Sequence, residues 1–182
     1  MGVYHWIKDT YFSPFTPIIG KKFIWSSRLH HIKPRYILEI PNHKIITDSA
    51  MWTAIWMIPC MWFTGLNIFW CTLCSLISLH DVIHKYAHML DNERPQLITL
   101  LQRIKILQTH EEHHVHHTAP HIKNYCPITP YANYPLEKLI FWRNLENLIE
   151  YLTSTKPRAY EEAHVEDMLY PAHIKFIRKK LE

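Results

Sequence analysis

The stretch SAMWTAIWMIPCMWFTGLNIFWCTLCSLISL, residues 49–79, runs for 31 residues without a formal charge. At about 1.5 Å of rise per helical residue, it exceeds the roughly 20 residues that one membrane crossing requires. Pro59, Gly65 and Asn67 interrupt it, and breakers near the middle of an apolar run predict a helical hairpin. The first span is expected over roughly 46–64, the turn at 65–67 and the second span from 68 onward, continuing past the membrane core into His80–His88. Trp52, Trp56, Trp62 and Trp70 suit membrane interfaces, where an amphipathic ring is at home. A buried hairpin of a soluble domain is the competing reading, but soluble helices rarely run so far without a charge.

Charge is placed unevenly around this run. Up to Asp48 there are seven Lys or Arg against three Asp or Glu, and from Ser49 onward thirteen meet thirteen, so the net charge of +4 lies wholly ahead of the apolar segment. A basic flank beside an apolar span fits the cytosolic side of a membrane. No basic stripe interleaved with exposed aromatics is visible, so nucleic acid is not expected as a partner. Residues 1–20 hold no apolar core of signal-peptide length. Beyond the hairpin, Pro95–Gln108 reads as a short interfacial or re-entrant helix, and Asn124–Pro135, rich in Pro, Asn and Tyr, as a loop. Leu136–Leu152 shows helical periodicity through Leu139, Ile140, Trp142, Leu145, Leu148, Ile149 and Leu152. Pro157 is expected to end that helix, leaving 161–182 as a charged tail.

The chain holds fifteen histidines and only three glycines. With so few glycines neither a dinucleotide fingerprint nor a phosphate loop can be written, so electrons for any redox step must come from a partner. Cys71 and Cys74 lie inside the apolar run, where they read as small core residues. The histidines are ordered. His84 and His88 stand at i, i+4, with His80 one turn earlier, and His113, His116 and His117 stand at i, i+3 and i+4. Such spacings put imidazoles on one helical face, where they can approach a metal together. Thr109 and Glu112 have capping-box spacing, which would start a helix just ahead of the second group. A pH sensor would also gather histidines, but it does not require two regular spacings. Zinc takes three or four protein ligands, fewer than this chain offers. Eight or more imidazoles suit two metals of higher coordination number, and imidazole suits iron.

The segments YHWIKDTY (4–11), PIIGKKFI (17–24), HHIKP (30–34), HKYAH (84–88), HHVHHTAPH (113–121), NYC (124–126) and NYPLEKLIFWRNLENLIEYLTSTKPR (133–158) together resemble the plasmanylethanolamine desaturase family, the lipid desaturase domain also called Kua. The resemblance covers residues 1–160 and implies an all-α integral membrane bundle, with a transmembrane hairpin and a cytosol-facing di-iron site. Carried over position by position, the metal ligands fall on His5, His30, His31, His84, His88, His113, His116 and His117, with His43 and His121 as additional or outer positions. Glu112 stands where the family often has histidine. The family places a transmembrane helix before its His-Trp motif, whereas only Met1–Tyr4 precede His5, so a chain lacking that helix is expected.

The implied activity removes two hydrogens from the alkyl chain of the ether phospholipid plasmanylethanolamine, giving the vinyl ether of a plasmalogen. O2 is the co-substrate, and two of the four electrons that reduce it come from a b5-type cytochrome and its NAD(P)H reductase. Desaturation of acyl lipids, as in related histidine-box enzymes, is the alternative reading, and an inactive metal-binding membrane scaffold another. Lys179-Lys180-Leu181-Glu182 resembles a dilysine retrieval signal, pointing to the endoplasmic reticulum with both termini in the cytosol.

Overall fold

The long apolar run does fold back on itself, and a single residue decides where. In the computed structural model, which describes the backbone of residues 2–181 and the side chains of 2–172 and 175, Gly65 has φ +77°. That left-handed conformation stops a helix and favours glycine. The helices are α1 (Gly2–Thr10), α2 (Trp25–Ile32), α3 (Asn42–Thr64), α4 (Ile68–Ala87), α5 (Gln96–Arg103), α6 (His110–His114), α7 (Pro130–Lys138), α8 (Phe141–Thr153) and α9 (Tyr160–Leu181). A π-helical turn, Gly20–Ile24, leads into α2, and a 3₁₀ turn, Pro34–Glu39, follows it. No strand occurs among the described residues, so the all-α expectation holds. The chain divides into two units, one of residues 35–113 and 127–130, the other of 2–34, 114–126 and 131 onward.

The first unit is built on the α3–α4 hairpin. Gly65 N–H closes α3 on Met61 O (2.8 Å), and Asn67 caps α4 by accepting from Trp70 N–H (3.3 Å). Trp70 Nε1 donates to Thr64 Oγ1 across the turn (2.7 Å). At the open end the ties are polar: Ser49 Oγ donates to Asp81 Oδ2 (2.5 Å), and Lys85 Nζ donates to Ile40 O (2.6 Å). The tip is apolar and open, with Trp62 85% and Phe63 86% exposed. Folding at Gly65 leaves uncharged arms of residues 49–64 and 68–79, so each falls short of the ~30 Å bilayer core at about 1.5 Å per residue. No helix among the described residues is long and apolar enough to cross a membrane. Cys71 is exposed and Cys74 half-buried, which corrects the reading of both as core residues. Pro95 starts α5, which exposes Leu97 and Leu100. The capping box forms as expected: Thr109 N–H donates to Glu112 Oε2 (2.9 Å) and Glu112 N–H to Thr109 Oγ1 (3.2 Å).

The second unit packs around Trp6, Tyr125 and Trp142, joined by Tyr11, Leu136, Leu145 and Ile149. The indoles stack at 5.9 Å, and each N–H finds a carboxylate, Trp6 on Glu146 (3.1 Å) and Trp142 on Glu137 (3.2 Å). Gly20 approaches Pro14 so closely that a Cβ would lie 2.2 Å from Pro14 O, which fixes the entry into α2.

Three boundaries depart from the sequence reading. Part of the expected 124–135 loop is helix, because Pro130 needs no N–H partner at a first helical position. Asn133 meanwhile turns its side chain onto the backbone N–H and C=O of Cys126 (3.0 and 2.8 Å). The single helix expected over 136–152 breaks at Ile140, which is left-handed (φ 51°). The expected charged tail is α9, which packs on α2 and sets Tyr170 5.2 Å from Phe15 and 5.0 Å from Trp25, ring to ring. The side chains of His173, Lys179 and Lys180, together with Glu182, lie outside the described residues, so the retrieval signal is not described.

Replacing Trp6 with alanine should lower the unfolding free energy by about 3–5 kcal/mol through the lost core volume. Thr109→Ala should cost only about 1 kcal/mol through the lost cap. Denaturant titration of the purified chains measures both, and equal losses would contradict this ordering.

Candidate metal centre

Each unit brings imidazoles of its own together. In the first unit, His84 and His88 leave the last turns of α4 on one face, as their i, i+4 spacing requires. His113 is presented by the short helix that the capping box starts. His84 Nε2 lies 2.8 Å from His113 Nε2 and 3.2 Å from His88 Nε2, and the three ring centroids are 4.5–5.0 Å apart. All three rings are buried. A neutral imidazole has one N–H, so His84 Nε2 cannot donate to both neighbours. His80 stands one turn earlier with its Nδ1 2.9 Å from Asp81 Oδ1, and His110 Nδ1 donates to Ala87 O (2.9 Å).

In the second unit, His5 and Asp9 leave α1 one turn apart, His31 comes from the end of α2, and His116 from the turn beyond α6. Their ligand atoms lie within 4.8 Å of one another. Asp9 Oδ2 is the hub: it lies 3.3 Å from His5 Nε2, 3.2 Å from His31 Nε2 and 3.5 Å from His116 Nε2, without a hydrogen bond of its own. The other carboxylate oxygen accepts from Ser27 Oγ (3.2 Å). Two of the rings have their tautomer settled by backbone carbonyls, which can only accept. His5 Nδ1 donates to Tyr125 O (3.2 Å) and His116 Nδ1 to Lys123 O (2.8 Å). Their Nε2 atoms face each other at 3.2 Å.

The charge states agree with this geometry. Burial holds the His5 imidazole well below its ordinary value despite the pull of Asp9, and burial lowers His31 to about 4. Burial pushes the Asp9 carboxyl up, but the imidazoles of His31 and His5 outweigh it and hold Asp9 well below the usual carboxylate range. Buried imidazoles around one ionised carboxylate, with ligand atoms within 4.8 Å of one another, are a donor set that could hold a transition-metal ion. Carbonyls like those behind His5 and His116 are the outer partners that orient imidazoles where a metal is bound.

The expected histidines are distributed unevenly. His30 and His117 lie in the second unit with ring centroids 4.6 Å apart, and His117 is 4.9 Å from His31. His121 sits at the margin, its ring 4.7 Å from His31 and its Nδ1 donating to His116 O (2.9 Å). His43 is exposed on the first turn of α3 and joins neither group. The helix expected to carry His113, His116 and His117 on one face does not reach the last two. α6 stops at His114, and the chain turns with Thr118 N–H on Val115 O (3.4 Å), so His113 and His116 serve different units. Asp9 was missed in the sequence, although its i+4 offset from His5 was a usable signal.

The lipid desaturase domain matches residues 1–160. The chain is 60% identical over 177 residues to a probable fatty acid desaturase of Acanthamoeba polyphaga mimivirus, covering 97% of this chain and 88% of that one. It is 34% identical to plasmanylethanolamine desaturase 1 of Mus musculus, over 87% of this chain and 62% of the mouse protein. It is 30% identical to plasmanylethanolamine desaturase of Myxococcus xanthus, over 86% of this chain and 58% of the bacterial protein. The chain thus spans most of the viral relative but only about three-fifths of the mouse and bacterial ones. No solved structure matches. With the domain matched over most of its length and its histidines gathered into two donor groups, the chain belongs to the lipid desaturase family.

Proposed function

We propose that this protein desaturates the ether-linked alkyl chain of a membrane phospholipid, plasmanylethanolamine, and forms the vinyl ether double bond of a plasmalogen. The observation that carries this reading is the gathering of His5, His31 and His116 around the ionised Asp9, whose Oδ2 lies 3.2–3.5 Å from all three Nε2 atoms. Such an arrangement suits a cation. Eight histidines, His5, His30, His31, His84, His88, His113, His116 and His117, together with Asp9, hold two iron ions in this reading. His121 acts as an outer partner, and exposed His43 contributes nothing.

An alkyl C–H bond offers no acidic proton, so no base among these residues can begin the reaction. Iron, when bound, supplies O2 activation. Reduction of O2 to two waters takes four electrons. Two come from the C–H bonds broken, and two come from outside, from a b5-type cytochrome and its reductase. The protein's own groups hold His5 and His31 neutral by burial, engage Nδ1 of His5 and His116 through Tyr125 O and Lys123 O, and neutralise part of the metal charge through Asp9.

The α3–α4 hairpin, with its open apolar tip, is the membrane anchor in this reading, and it lets an alkyl chain approach without leaving an apolar phase. Residence in the endoplasmic reticulum, with the histidines facing the cytosol, completes the proposal. Desaturation of an acyl chain is the second reading, favoured by the 60% identity to the viral probable fatty acid desaturase.

Lipid analysis of a plasmalogen-null strain expressing this chain separates the two readings. Vinyl ethers should appear, whereas new acyl double bonds without vinyl ethers would sink the first. Metal analysis of the purified protein should find about two irons per chain, and zinc in their place would point to a hydrolase. His84→Ala and His116→Ala should each lower the iron content and reduce turnover by at least about 100-fold.

A further inference from the structure

The last turn of α1 is held by two arginines that no part of the reaction uses. α1 ends at Thr10, so the carbonyls of its final residues have no partner within the helix. Arg28 Nη2 donates to Asp9 O and to Phe12 O (3.4 Å). Arg158 donates through its backbone N–H to Thr10 O (2.9 Å) and through Nη1 to Phe12 O (2.7 Å). Two guanidinium groups thus sit at the negative end of the helix that carries His5 and Asp9, where cationic charge is favourable.

Neither arginine is there by default. Arg28 is only 7% exposed, and burying a guanidinium is costly unless it is paired. The pairing comes from α9. Asp167 Oδ2 lies 3.7 Å from Arg28 Nε, and Glu166 Oε2 accepts from Arg158 Nη2 (2.5 Å) and Ser13 Oγ (2.5 Å). Arg28 also follows Ser27, the donor to Asp9 Oδ1, and precedes His31 by three residues on α2. One stretch of α2 therefore grips Asp9 by its carbonyl and by one carboxylate oxygen while presenting His31 to the other. Asp9, His31, Arg28, Arg158 and Asp167 line one cavity of about 100 Å³, so the clamp and the donor group share a wall.

We propose that Arg28 and Arg158 are positioning residues for the metal held by His5, Asp9, His31 and His116, with Glu166 and Asp167 of α9 holding the two guanidinium groups in place. The proposal rests on the metal reading of the preceding section. It makes the C-terminal helix a working part of the site, since without α9 the arginines lose their carboxylates. A clamp that served stability alone would leave the metal's affinity and spectrum unchanged in any variant that still folds.

The test is a Co²⁺ titration of the full chain in a His84→Ala/His88→Ala background, so that the visible absorption bands report on the second group. Far-UV circular dichroism follows the fold. Arg28→Met should bind Co²⁺ about 10–100-fold more weakly, with altered bands. Arg28→Lys, which keeps the charge but not the fork, should fall between Arg28→Met and the background chain. Background affinity and bands in a folded Arg28→Met chain would overturn the proposal. If Arg28→Met loses its helical signal, Arg158→Lys and Glu166→Gln decide by the same readout: weaker binding supports the clamp and unchanged binding rejects it. An Asp9→Ala control must abolish the bands. If it does not, or if the background chain binds no Co²⁺, the metal reading itself fails and the clamp falls with it.

Discussion

An ionised carboxylate buried among imidazoles is the constraint on which the rest of this structure depends. His5 and His116 are each committed at Nδ1 to a carbonyl, and their Nε2 atoms meet at 3.2 Å beside Asp9 Oδ2. Burying an ionised carboxylate costs several kcal/mol unless polar groups surround it, and the three imidazoles around Asp9 do so. The same group of ligand atoms could hold a metal ion.

Much of the second unit can be understood as support for that arrangement. The Trp6–Tyr125–Trp142 cluster fixes α1 from one side, since Trp6 is the neighbour of His5, and fixes the 124–126 segment, whose Tyr125 carbonyl sets the His5 tautomer. The arginines of α2 and of the segment before α9 fix the other end of α1. A helix of only nine residues has little stability of its own. It is held by an apolar contact near its start and charged hydrogen bonds at its end. The first unit solves the same problem differently: α4 is long and keeps His84 and His88 in register without help, and only His113 needs a capped turn to meet them.

The hairpin shows how one backbone conformation changes the meaning of a composition. Thirty-one uncharged residues in one helix would cross a bilayer with length to spare. Folded at Gly65 they become two shorter arms with an exposed aromatic tip, tied at the open end by Ser49–Asp81 and Lys85. The apolar run thus leads to an exposed tip and a base tied by polar contacts.

The sequence by itself determined the elements whose cause is local. The i, i+4 pair of His84 and His88 and the Thr109–Glu112 capping box follow from neighbours three or four residues apart, the turn at Gly65 follows from a chain breaker, and all are present. The resemblance carried by the histidine segments named the family. Tertiary structure decided which donors meet. His5, His31 and His116 converge across separations of up to 111 residues, a distance at which no periodicity speaks. Asp9 joined them because α1 and α2 pack with that carboxylate between them. The helix expected to carry His113 and His116 on one face ends at His114, and His116 is held instead by Lys123 O through its Nδ1. The supposed tail became α9, whose Glu166, Asp167 and Tyr170 meet Ser13, Arg28 and the rings of Phe15 and Trp25, partners at least 139 residues earlier that only the folded chain could supply.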